Sequence, residues 1–212
     1  DIVIGTVARL AEHKGHDDLL DALAHDLKSS PNLKLLWVGD GWWRTRLLEK
    51  AAALGLTIRE LDLKLDTVTH HPDAPPDRSP ALRPAHLTLT GLVPPTLIPA
   101  HIRAMDILAH PSYREGLPRT IPQALLCGIP PVAYDIDGTS EVCQNNQTGR
   151  LIATPGDRAA LRQAILDLAA DSVKRAALAT RGRELCRTRF SARTMVDRLE
   201  EVYAVALQRA SG

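Results

Sequence analysis

Apolar residues follow two alternating rhythms along this chain. Short apolar runs bounded by glycine, proline or asparagine are the sequence form of a parallel strand buried on both faces. Ile2–Val7 and Leu33–Val38 have that form, as do residues 87–90, 107–109, 132–134 and 149–153. Between them, apolar positions recur three and four apart, the spacing of one helical face. Residues 15–28 put Leu19, Leu20, Leu23 and Leu27 on such a face, and residues 42–54 do the same with Trp43, Leu47 and Leu54. Trp42 is expected in the core too, with an exposed contact to a partner domain as the alternative. A short helix is expected over 96–105, kinked or begun late by Pro99, and further helices over 157–170, 171–187 and 191–209. Strands and helices in alternation predict an α/β fold: a Rossmann-like doubly wound parallel sheet with extra C-terminal helices.

The stretch 107–134 organises the rest. Pro118 and Pro122 are tolerated only where an amide lacks an intrahelical partner, so a helix is expected over 122–126, closed by Gly128 as its C-terminal cap. The free amides of its first turn face a loop holding Glu115 and Gly116. Such a helix end binds phosphate readily. Gly116 lets a ligand approach the main chain, and Glu115 can accept hydrogen bonds from hydroxyls. An anion receptor beside a hydroxyl receptor suits a sugar joined to a phosphate.

Charge and composition remove several classes. Lys plus Arg total 26 against 25 Asp plus Glu, which gives no electrostatic case for nucleic acid, and 3% aromatic residues make a poor stacking platform for bases. Three cysteines without framework spacing suggest a reducing, cytoplasmic setting, with Cys127 a small buried apolar residue. No apolar run has the length of a membrane span. The chain opens inside a strand pattern without an initiator Met, as the second half of a longer protein would. Residues 61–84 break the rhythm: strand-like alternation over 61–66 leads into His70, His71 and a Pro-rich run, an expected insertion loop. His70, His71 and Asp73 are too loosely spaced for a metal site, and His13 and His16 are expected at the surface.

Two motifs carry a family resemblance. His110-Pro-Ser-x-x-Glu115-Gly-Leu-Pro118, then an Ala and Gly128-x-Pro-Pro-Val132, resembles the donor-site signature of group 1 glycosyltransferases, a large retaining family with the GT-B fold. Gly5-Thr-Val-Ala-Arg9-Leu-Ala-Glu-His-Lys14-Gly15 is similar to that family's Gly-x-x-x-Arg-Leu-x-x-x-Lys-Gly. The family's Glu, seven residues, Glu appears as Glu115 and Gln123, an amide replacing the second carboxylate.

The resemblance implies a donor-binding domain over residues 1–212, with an N-terminal acceptor domain outside this chain. Arg9 and Lys14 would hold the donor diphosphate and stabilise charge on the leaving phosphate, forming with Glu115 the catalytic set. Glu115 would orient the sugar, and Gln123 would meet the ribose without charge assistance. Main-chain groups of Gly116, Leu117 and Pro118 would face donor oxygens, the proline offering no amide. Thr90, Gly91 and Val93 would read the base, Val93 through its amide and carbonyl, with a UDP-sugar favoured over a GDP-sugar. No metal or cofactor is expected, because two cations and a helix end do the neutralising. The Gly138 to Glu141 turn into a helix would be capped by Thr139 or Ser140, with Glu141 structural. The last helix would pack on the missing half through an apolar stripe over 202–207. That half leaves room for peripheral membrane contact, and without it the domain would be inactive. The alternatives are a nucleotide-sugar epimerase on the same fold and a non-catalytic nucleotide-sugar binder, the latter kept open by Gln123.

Overall fold

The computed structural model describes residues 1–61 and 85–210. Its strands are β1 (Ile2–Val7), β2 (Leu33–Val38), β3 (Ile58–Glu60), β4 (Leu87–Leu89), β5 (Ile107–His110), β6 (Pro131–Tyr134) and β7 (Arg150–Ile152). They form one sheet in the order β3-β4-β2-β1-β5-β6-β7, and every pairing is parallel. The helices are α1 (His16–Ser29), α2 (Arg44–Ala53), α3 (Ile98–Arg103), α4 (Thr120–Cys127), α5 (Thr139–Val142), α6 (Arg158–Ala170), α7 (Ser172–Arg189) and α8 (Ala192–Ala210).

Successive strand residues point to opposite faces of the sheet. Ile4, Leu35, Trp37, Ile107 and Tyr134 join a core with the leucines of α1, Leu47 of α2 and Ile165 of α6. Val38, Leu108 and Ala133 join a second core with Ile102 of α3, Leu125 of α4 and Cys186 of α7. Both faces are covered, as the unbroken apolar runs require. The chain winds outward from β1 through β2, then returns to lay β5 against the other side of β1. That reversal opens a crevice at the carboxyl ends of β1 and β5, where open α/β sheets bind ligands.

Several expectations need correction. Trp42 is 65% exposed, because α2 begins only at Arg44 and Trp43 takes the place against the core. His16 is buried, its ring edge-on to Trp37 at 4.8 Å, because the left-handed turn at Gly15 drives the first turn of α1 inward. Cys127 is only half-buried, whereas Cys143 and Cys186 are enclosed. α4 starts at Thr120, two residues early, since Pro122 fits a first turn whose amides need no helical partner. Gly128 closes α4 in the left-handed region, φ 87°. Neither Thr139 nor Ser140 caps α5; Gly138 holds that position without a side-chain bond. The strand over 61–66 and the insertion over 61–84, with His70, His71 and Asp73, lie outside the described residues except for Leu61. No described helix is long and apolar enough to cross a membrane.

Candidate functional site

The loops after β1 and β5 meet at the reversal and hold each other. The first ends in a 3-10 turn, Glu12–Lys14, and Gly15 at φ 69°. A Cβ on Gly15 would stand 1.9 Å from the carbonyl oxygen of Pro111, so only glycine permits this approach. The carbonyl of His13 accepts from the Tyr113 amide (2.8 Å) and the Ser112 hydroxyl (3.1 Å). On the other side, the Glu115 amide donates to Asp137 Oδ2 (2.9 Å) and the Gly138 amide to the Gly116 carbonyl (3.0 Å). Asp137 sits at φ 41°, backbone strain of the kind that collects at functional sites. Beneath, buried Asp18 accepts from the hydroxyls of Tyr113 (2.5 Å) and Tyr134 (2.8 Å) and from Arg158 Nε (2.8 Å). The loop carrying Glu115 is therefore fixed from three sides.

Lys14 Nζ lies 2.5 Å from Glu115 Oε1, and His110 Nε2 lies 3.0 Å from the same oxygen. Burial alone would raise the Glu115 carboxyl, but His110 and Lys14 outweigh it and hold the pKa at about 2. At neutral pH, Glu115 is an ionised acceptor, suited to receiving hydroxyl protons in hydrogen bonds and too weak a base to remove them. The space beside Gly116 is open, with no atom within 4 Å of where a Cβ would stand. Gly116 and Leu117 are exposed, Pro118 is buried behind them, and Gln123 is exposed on α4.

Arg9 does not join this group. Its guanidinium lies over the Trp42 ring, 5.4 Å from the centroid, and borders a separate hollow of about 220 Å³. Val93, Leu92 and Asp40 line that hollow at the ends of β2 and β4. Thr90 is buried and donates to the Gly91 carbonyl (3.0 Å), which also accepts from the Gly39 amide (3.0 Å). Thr90 and Gly91 thus shape the turn, while Val93 faces the space. The expected residues fall into two groups, Lys14 with Glu115 and Arg9 with Val93, each beginning at the end of β1.

A larger hollow of about 550 Å³ lies beside Trp43, Lys50 and Arg158. Two of its cations are already engaged: Lys50 with Asp17 and Asp21, Arg158 with Asp18 and Asp21, all at 2.8–2.9 Å. Asp137 escaped the sequence reading, and His110 entered it only as the first residue of the donor-site motif, with no role of its own. His110 left a trace as the one polar residue in the run Ile-Leu-Ala-His; Asp137 left none that its Asp-Gly turn would not explain.

The sequence model described as Glycosyl transferases group 1 matches residues 1–59 and 81–185, and the chain belongs to that family. It is 31% identical over 214 residues to the 2-deoxystreptamine N-acetyl-D-glucosaminyltransferase of Streptomyces fradiae, covering 99% of this chain and 44% of the relative. It is 27% identical to a GDP-mannose-dependent α-(1-6)-phosphatidylinositol monomannoside mannosyltransferase of Mycolicibacterium smegmatis, covering 94% and 47%. The fold matches the crystal structure of Anabaena HepE in complex with UDP at TM-score 0.75 and 26% identity, over 97% of this chain and 49% of that one. The architecture is the Rossmann-like fold of GT-B glycosyltransferases. The chain spans about half the length of these relatives.

Proposed function

We propose that this chain binds a nucleoside-diphosphate sugar across the carboxyl ends of β4, β2, β1 and β5. Within the whole protein, the sugar passes from that donor to an acceptor with its anomeric configuration retained. The Lys14–Glu115 contact carries the reading: a cation and an ionised hydroxyl acceptor, from two different loops, meet at the reversal of the strand order. The base enters the hollow beside Val93, whose amide and carbonyl suit one edge of a pyrimidine. The diphosphate crosses the end of β1 between Arg9, Lys14 and the free amides of α4. The sugar rests against Glu115 and the open space at Gly116. Gln123 reaches the ribose hydroxyls as a neutral partner.

The cations and the α4 amides stabilise the leaving diphosphate without requiring a metal or cofactor. A UDP-sugar is the favoured donor, supported by the UDP bound to HepE. The exposed apolar residues of α8, Val196, Leu199, Val202, Tyr203 and Leu207 among them, fit a docking face for an N-terminal acceptor domain. Free thiols at Cys127, Cys143 and Cys186 suit the cytoplasm.

Hydrogen exchange with and without UDP tests the placement. Added UDP slows exchange at residues 8–15, 91–93 and 115–121. Protection confined to the hollow beside Trp43 and Lys50 contradicts it.

A further inference from the structure

We propose that His110 is the positioning residue that fixes the Glu115 carboxylate for the donor sugar, an assignment that rests on the donor reading above. Its place in the fold makes it unusual. His110 ends β5, whose other residues, Ile107, Leu108 and Ala109, are fully buried and apolar. The side chain is itself only 6% exposed, and a polar ring at such a site needs partners.

Both nitrogens face one. Nδ1 lies 3.3 Å from the hydroxyl of Thr120, the first residue of α4, and Nε2 lies 3.0 Å from Glu115 Oε1. A Thr120 hydroxyl donating to Nδ1 leaves the ring proton on Nε2, directed to the carboxylate side. Nε2 lies 3.0 Å from Oε1 but makes no full hydrogen bond there. Contacts of this kind tighten when a ligand draws the acceptor into place.

Lys14 and His110 both approach Oε1, and among the described residues no hydrogen bond reaches Oε2. One oxygen is anchored and the other is presented. Lys14 alone is a poor anchor, because its ammonium rides on a flexible four-carbon stem and must also serve the diphosphate. The rigid ring, braced by Thr120 at the tip of α4, sets the direction in which Oε2 points. His110 therefore acts on sugar recognition and leaves recognition of the nucleotide alone.

The test is calorimetric titration of the full chain with UDP, GDP, UDP-glucose, UDP-N-acetylglucosamine and GDP-mannose. His110→Leu, which keeps an apolar filling of the strand end, weakens the best-bound sugar conjugate about tenfold while the matching free nucleotide changes by less than about twofold. His110→Gln, whose side-chain amide can donate to Oε1, recovers most of that loss. Thr120→Val gives the same sugar-selective loss at smaller size, and serves in place of His110→Leu should that variant melt early. Equal losses for conjugate and free nucleotide, no loss in either, or a Gln variant as poor as Leu each overturn the assignment. A wild-type chain that binds none of the five ligands overturns the donor reading itself.

Discussion

Lys14 Nζ stands 2.5 Å from Glu115 Oε1, joining side chains 101 positions apart in the chain. The ammonium, with His110, keeps the carboxylate ionised. The two are nonetheless separable by ligand. Lys14→Met weakens UDP and UDP-sugars alike, by about 10- to 100-fold, since it removes a charge-assisted contact to the diphosphate. Glu115→Gln weakens only the sugar conjugates. Competition titrations with each ligand check this, and a Glu115→Gln loss that extends to free UDP removes the carboxylate from the sugar.

The guanidinium of Arg9 over Trp42 makes a second expectation. To meet a diphosphate, Arg9 must leave the indole, exchanging a contact of about 0.5–1 kcal/mol for a stronger charge-assisted one. UDP should therefore change the tryptophan emission, and Trp42→Phe should abolish the change while Trp37 and Trp43 still report folding. A signal that survives Trp42→Phe places the movement elsewhere.

The strands were legible because burial on both faces leaves no room for polar residues, and the leucines of α1 because one helical stripe is enough to seal a core face. The edge strand β3, Ile-Arg-Glu, carried no such signal, since an edge strand is half solvated. Trp42 and His16 went the wrong way for one reason: each lies at the start of a helix, where the direction of the preceding turn decides burial and periodicity has not begun. The two motifs together assigned Lys14 and Glu115 to one site, though not their direct contact, since Lys14 was paired there with Arg9. The position of Arg9 was not readable, because Trp42, brought alongside by the turn after β2, competes for its guanidinium.

His16 should leave a mark on the pH dependence of stability. Burial first, then the charges of His110 and Lys14, lower its pKa from 6.5 to about 3, and neither ring nitrogen has a hydrogen bond. The native ring stays neutral where the unfolded chain takes up a proton, so the unfolded state binds more protons below pH 6.5 and stability falls as pH falls. The slope approaches about 1.4 kcal/mol per pH unit well below pH 6.5 and fades to nothing above about pH 8. Denaturant melts of wild type and His16→Leu from pH 4.5 to 7.5 isolate the effect, the variant giving the flatter profile. Parallel profiles contradict it.

Gln123 is exposed on α4 and has no side-chain hydrogen bond among the described residues. Restoring a carboxylate with Gln123→Glu should tighten nucleoside-diphosphate binding about tenfold, the difference between a neutral and a charge-assisted bond to a ribose diol. Unchanged affinity in an equilibrium titration means that Gln123 does not face the ribose.

A crystal structure of the chain with UDP tests the central claim most directly. The pyrophosphate is expected within hydrogen-bond distance of Lys14 Nζ and the first amides of α4, with Arg9 turned from Trp42 and the uracil against Val93. Nucleotide density in the hollow beside Trp43 and Lys50, or phosphates that touch neither Lys14 nor α4, would contradict it.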